Sequence, residues 1–313
     1  MSDVRAISTK IGGGQVAYAA GPPSSLLRLP IAFIREHGPK LGWGLVSVGL
    51  FAGIWEFLWY INVADHRLLP PPHVFLGDFL GQAKNFNTAK RWEIGVDSSS
   101  GPTPLGAVII TMASSTMRVL AGLAIAALTS LCMGVLIRYH GLLGKLVLPT
   151  VTLLAPVSPV AWLPVAIFLF GIGNGPAIFM VVIALLFHMV LATINQIDNV
   201  NRNLINVART MGASKHQTYM RVIIPAILPQ LFVVLRFNLF AAWMVVLVAE
   251  ATGVGYGLGQ VIMLARNTFN PSLVFFTIAL IGVLGFLFDV AMRLAQRKLL
   301  YWVPRGTEVL RGL

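Results

Sequence analysis

The chain has one cysteine in 313 residues, Cys132, and it sits in an apolar run. No disulfide framework or cysteine metal site can be built from it. Charge is scarce as well: Asp, Glu, Lys and Arg make up 11% of the residues, where a soluble globule carries about 25%. No G-x-x-x-x-G-K-[ST] run occurs. The glycine-rich stretches at 11–15 and 253–259 both lack the Lys-Ser/Thr pair that grips nucleotide phosphates, so the chain does not read as an ATPase. H-E-x-x-H, G-x-S-x-G and Cys/His clusters are missing too, which removes support for a membrane protease or hydrolase.

What the chain does have is apolar length. Hydrophobic residues make up 57% of it, and a spanning helix needs about 20 of them in a row. The runs predict an all-α, polytopic membrane protein with about six transmembrane helices, at 42–64, 107–137, 146–171, 176–197, 226–250 and 272–293. No uninterrupted apolar core precedes Leu41. The first span therefore reads as an uncleaved anchor and residues 1–41 as an N-terminal extension.

The formal net charge is +12. In a soluble protein that excess would point to nucleic acid, but here its distribution over the loops reads as topology in a lipid bilayer, with no nucleic acid as partner. Sixteen Lys and Arg fall in the two tails and the second and fourth loops, five fall on the opposite side, and Arg118 and Arg236 lie within spans. Basic residues collect on the cytoplasmic side, so both termini, including the tail at 301–313, and the loop at 198–225 are expected there.

Ionisable groups at membrane depth are costly unless paired or hydrated, which makes them candidates for function. Arg236, Trp243 and Glu250 recur every seven residues in the fifth span and share a stripe. Thr111, Ser115, Arg118 and Gly122 share a face of the second span, which runs the other way, and Arg118 can reach outward toward Glu250. Two readings stay open for that pair: closure of the outer end of a pathway, or an ion pair that only holds two helices together. Arg236 is left as a mid-depth cation without a partner in its own helix, with His188 at similar depth; it either lines a passage for an anion or bonds carbonyls of the third span. Glu56 reads as facing another helix, and Asp289 as lying near the cytoplasmic boundary. The third span carries Pro149, Pro156, Pro159 and Pro164, and broken backbone at membrane depth must be buried in protein or line a cavity. Pro159 and Trp162 thereby join the candidates.

The stretch Asn206–Pro225, NVARTMGASKHQTYMRVIIP, is a polar, basic interruption between two apolar runs. Its layout resembles the cytoplasmic coupling loop of importer permeases of the ATP-binding cassette type. Asn206-Val207-Ala208 fills the position of a Glu-Ala-Ala triplet, Gly212 that of the glycine six residues on, and Val222, Ile224 and Pro225 the closure. Asn206 departs from the usual Glu. The runs SSTMRVLAG, PVSPVAWLPVAIFLFGIG, LRFNLFAAWMVVLVAE and GLG resemble the branch that serves nitrate, sulfonate, taurine and bicarbonate uptake. The resemblance covers roughly residues 42–300; the N-terminal tail and the polar stretch at 85–104 are longer than the branch usually has.

The resemblance implies a transmembrane permease of the methionine-importer (MetI-like) type I core over 42–300, in the plasma (inner) membrane of a bacterium. It implies a second permease chain, with an identical copy as the default, two ATPase subunits inside that carry ATP and Mg, and a solute-binding protein outside. No cofactor is expected in this chain. The segment Ala208–Ser214, with Arg209, Ala213 and Lys215, would sit in a cleft of the ATPase, Gly212 allowing a break between short helices at 203–211 and 214–221. A small oxyanion is the expected solute, sulfonate or taurine and nitrate or bicarbonate being the candidates. The competing reading is a stand-alone secondary transporter or channel for small anions, which predicts inverted repeats and mid-depth coupling carboxylates.

Overall fold

The computed structural model describes residues 29–61, 69–94 and 103–300. Residues 1–28 of the expected extension at 1–41, the expected tail at 301–313 and part of the 85–104 stretch lie outside the described residues. Two units are distinguished, Met1–Phe57 and Leu58–Leu313. The described part of the first belongs to helix α1, Leu29–Tyr60, which starts well before the expected span; its stretch Gly42–Tyr60 is apolar enough to enter a bilayer.

The second unit is helical throughout its described residues. Short α2 (Pro72–Gly77) and α3 (Phe79–Ile94) lead to α4 (Pro104–Tyr139), α5 (Gly141–Leu154), α6 (Leu163–Phe170) and α7 (Asn174–Asp198). Then come α8 (Arg202–Thr210), α9 (Lys215–Thr218), α10 (Ile224–Ala249), α11 (Leu258–Asn267) and α12 (Pro271–Leu299). Local chemistry places several starts. Thr103 caps α4 by accepting from Gly106 N at 3.3 Å, and Asn270 caps α12 by accepting from Leu273 N at 3.1 Å.

The expected third span is not one helix. The pair formed by Gly141–Leu154 and Pro159–Phe170 is bent by 101°. Proline is the cause: Ser158 before Pro159 is held in extended backbone (φ −58°, ψ 131°), while Pro159 and Pro164 fit the first turns of the pieces that follow. The pair still makes one crossing. Arg118 of α4 bonds Asn174 at the start of α7, and Arg138 near the end of α4 pairs with Asp198 at the end of α7. The helices α4 and α7 thus run parallel, and residues 140–173 must carry the chain back the full distance. Among the described residues, five helices are otherwise long and apolar enough to cross, six crossings with the bent pair counted.

The core lies where α4, α7 and α10 meet. Val119, Leu123 and Ala126 pack with Val181 and Leu185 and with Leu239, Trp243 and Val246, and Phe276 of α12 completes the cluster. In a bilayer, small residues drive such contacts because they let backbones approach. A Cβ on Gly122 would lie 2.6 Å from the Val181 Cβ, and one on Gly134 would lie 2.6 Å from the Thr193 Cγ2. The two glycines form a seam along α4 against α7. Replacing Gly122 by Leu should cost about 1–3 kcal/mol through overpacking, read as a lowered thermal midpoint in detergent. The same change at Gly141, whose Cβ would meet nothing within 4 Å, should leave the midpoint nearly unmoved.

Candidate functional site

At one end of the bundle a single guanidinium gathers four segments. Arg118 Nη1 donates to Glu250 Oε1 at 2.6 Å, with the two side chains only 3% and 0% exposed. Arg118 Nε donates to Asn174 Oδ1 at 2.7 Å, and Nη1 also reaches the Tyr256 carbonyl at 3.3 Å. The guanidinium sits 4.1 Å from the centre of the Tyr256 ring, and the Tyr256 hydroxyl donates to the same Asn174 oxygen at 2.7 Å. Glu250 is held on its other side by Gly259 N, which donates to Oε2 at 3.0 Å, while Leu258 N donates to Ser115 Oγ at 3.1 Å. Backbone must come very close for this: a side chain on Gly257 would run into the Glu250 carboxylate. A buried ion pair survives only with such supporting hydrogen bonds, and removing one partner costs about 3–5 kcal/mol. Arg118 Nη2 is buried with no hydrogen-bond partner among the described residues.

The other expected path residues lie on α7, on α10 and in the turn at Pro159. Trp243 is buried, 5.9 Å from the Phe288 ring. Trp162, in the tight turn that starts at Pro159, packs in the cluster that contains Val254. His188 is exposed on α7. Arg236, which has no partner in its own helix by sequence, has one in α12. Its Nε lies 3.2 Å from Asp289 Oδ1, while Asp289 Oδ2 accepts from Arg293 Nε at 2.8 Å. Asp289, read from sequence as a boundary residue, is 8% exposed and shared by two arginines. That sharing was illegible because it joins different helices.

The opposite end carries the Gly212 turn. Helix α8 exposes Leu204, Val207 and Met211 at 50%, 58% and 82%, with Asn206 and Arg209 exposed beside them. Ala208 is half-buried, and its carbonyl accepts from Ala213 N at 3.0 Å. Gly212 turns the chain at φ +80°, a region costly for residues with a Cβ. Ser214 then starts a new helix with a reciprocal cap: its hydroxyl accepts from Gln217 N at 3.2 Å and its N donates to Gln217 Oε1 at 2.9 Å. The second short helix expected here is not separate. Lys215–Val254 reads as one continuous span, with wider π turns at Tyr219–Ile223 and Glu250–Val254. Pro225 explains the first: it has no N–H to give and its ring crowds the preceding turn, and Ile224 N bonds back to Tyr219 O. Lys215 is exposed and also tied to the neighbouring helix. Its Nζ donates to the Tyr139 carbonyl at 2.6 Å and lies 4.5 Å from the Tyr139 ring centre. Tyr219 donates to the Arg138 carbonyl at 3.0 Å, so the turn is tied to α4.

With this geometry in place, comparison with known proteins becomes informative. Residues 122–301 match the family described as binding-protein-dependent transport system inner membrane component. The chain belongs to that family. The taurine transport system permease protein TauC of Escherichia coli K12 is 26% identical over 280 residues, covering 86% of this chain and 96% of TauC. The putative aliphatic sulfonates transport permease protein SsuC of Bacillus subtilis 168 is 28% identical over 265 residues, covering 84% and 89%. An inward-facing form of the MetNI methionine ABC transporter shares the fold at TM-score 0.55 and 19% identity, over 63% of this chain and 96% of that one. The chain is thus a membrane-spanning permease component of a binding-protein-dependent importer, with ATPase and solute-binding partners implied by its family.

The family match begins at Gly122, four residues past Arg118, so the guanidinium that organises one end of this permease lies just outside the matched region, while Glu250 and the Gly212 turn lie inside it. Glu250→Ala should destabilise the permease by about 3–5 kcal/mol by leaving Arg118 buried and unpaired. Arg118→Met with Glu250→Met should lose much less, because neither charge is then stranded. Thermal unfolding of the purified proteins in detergent measures both.

Proposed function

We propose that two copies of this permease form the solute path of an ATP-driven importer, with an ATPase docked on each α8 and a solute-binding protein at the Arg118 end. ATP and Mg belong to the ATPase subunits in this reading, and the permease holds no cofactor. The Gly212 turn faces the cytoplasm, as do both termini. Sixteen of the 23 Lys and Arg residues fall on that side, which supports the orientation.

One observation carries the reading. An otherwise polar helix, α8, presents Leu204, Val207 and Met211 outward beyond the last turn of a membrane span. Exposed apolar side chains on a polar helix fit a groove in another protein. Behind them, Ile197, Ile223 and Ile227 with Val135 pack the root of α8 against α4, α7 and α10. A push on α8 is therefore a push on the span that ends at Glu250, a rigid-body shift of packed helices.

The solute in this reading is a small oxyanion of the sulfonate, taurine, nitrate or bicarbonate class. Two positions favour an anion over a cation. The shared Asp289 leaves one positive charge in excess among Arg236, Arg293 and itself, and Arg236 lies on the helix that carries Glu250. Excess positive charge in low-dielectric surroundings lowers the barrier to an anion. Arg118, Pro159, Trp162, His188, Trp243 and Glu250 are assigned to the walls and closure of the path, and Asn206, Ala208, Arg209, Gly212, Ala213, Ser214, Lys215 and Pro225 to the ATPase-facing end.

Val207→Asp places a charge in the docking face at a position already exposed. It should cut the ATPase recovered with the affinity-purified permease at least tenfold and leave the thermal midpoint of the permease unchanged. Full recovery of the ATPase would remove α8 as the docking element. Solute uptake into liposomes holding this chain alone would overturn the importer reading itself.

A further inference from the structure

The Arg118 node has a half that is locked and a half that is open to water. Glu250 is fully enclosed and fastened by Arg118 and by Gly259 N, and Ser115 secures the neighbouring Leu258 N. Asn174 and Tyr256 are different. Asn174 is exposed, Tyr256 is half-buried, and the bond between them lies at the surface. Each adjoins a short loop that closes the same end of the bundle, Asn174 opening α7 directly after the return from α6 and Tyr256 standing in the turn that leads into α11. Gly173 N donates to Gly253 O at 3.2 Å, which adds one more weak tie. Both loops pass through glycines at positive φ: Gly171 and Gly173 in one, Gly255 and Gly257 in the other. Such backbone can swing without the steric barriers of other residues.

We infer that Arg118 is a positioning residue for a gate at this end: its bond to Glu250 persists, while Asn174 and Tyr256 form a clasp that opens when the two loops part. The asymmetry follows from solvation. Water can replace a bond at the surface at little cost, whereas nothing replaces a partner of an enclosed charge. Asn174 Oδ1 accepts from both Arg118 Nε and the Tyr256 hydroxyl, so one side-chain rotation frees Asn174 from both, and leaves Tyr256 on the guanidinium only through its carbonyl at 3.3 Å and its ring face. The unpartnered Arg118 Nη2 gives the guanidinium a spare donor within the same enclosure. Opening would uncover Val254, which is 4% exposed and shares a cluster with Trp162, Leu163 and Tyr256. The clasp thus joins the second arm of the bent span to the end of α10, which the Gly212 turn begins. This inference rests on the importer reading for its purpose, though not for its geometry.

Two measurements test it in a Cys132→Ser background. Val254→Cys reports opening through its rate of reaction with a charged maleimide on whole cells. Adding Asn174→Ala should raise that rate severalfold, as should Tyr256→Phe; equal rates would overturn the clasp. In the second measurement, Asn174→Cys and Tyr256→Cys are bridged by a short, reducible bis-methanethiosulfonate in the permease purified with its ATPase. The bridge should lower ATP turnover at least tenfold, and reductant should restore it. Unchanged turnover would mean the two loops never part, since a purely structural tie is not harmed by being made covalent. If no ATPase co-purifies, the importer reading fails, and the labelling rates alone still decide whether the clasp opens.

Discussion

Arg118 and Glu250 lie 2.6 Å apart, enclosed where water cannot reach them, and the rest of this end of the molecule is arranged to make that pair tolerable. Two charges at such depth would otherwise be expelled or neutralised. The surroundings answer with backbone donors from Gly259, an amide from Asn174 and the face of Tyr256. Those contacts fix where the loops at 171–174 and 253–259 can sit. They also set the direction of α7 relative to α4, and therefore require the proline-broken segment between them to cross back.

The helix that ends in this pair begins at the Gly212 turn. Lys215–Val254 is continuous, yet it widens into a π turn at each end. The first absorbs the missing donor and the bulk of Pro225. The second places Glu250 at the start of a loosened turn that leads into Gly255 and Gly257. A stiff rod with a compliant segment near each terminus transmits displacement and lets its ends reorient. Between them Trp243, Val246 and Leu239 pack into the core, so the middle of the rod moves only with α4 and α7.

Much of this was visible in the residue order. Apolar run lengths predict the crossings, and four prolines predict a break. Helical periodicity puts Thr111, Ser115, Arg118 and Gly122 on a face, and the structure buries all four. Other contacts were not legible, because a side chain's partner on a different helix leaves no local trace. Asp289, the partner of Arg236, is 53 positions away, and Tyr139, whose carbonyl accepts from Lys215, is 76 away. A short helix was expected at 214–221 after Gly212, and a π turn carries it on into the span.

The sequence by itself determined the class of molecule, its crossings, the place of its break and the residues that turn the chain at Gly212, because these depend on hydropathy, backbone sterics and capping within a few residues. It also singled out Arg118 and Glu250, since a charge in an apolar run is conspicuous wherever its partner lies. Only the tertiary structure decided that Asn174 and Tyr256 share the guanidinium, that Asp289 serves two arginines, and that the bent pair completes a crossing. Those facts arise from distances between helices, which a linear pattern of residues does not encode locally; between α4 and α7 that distance is set by close packing at Gly122 and Gly134.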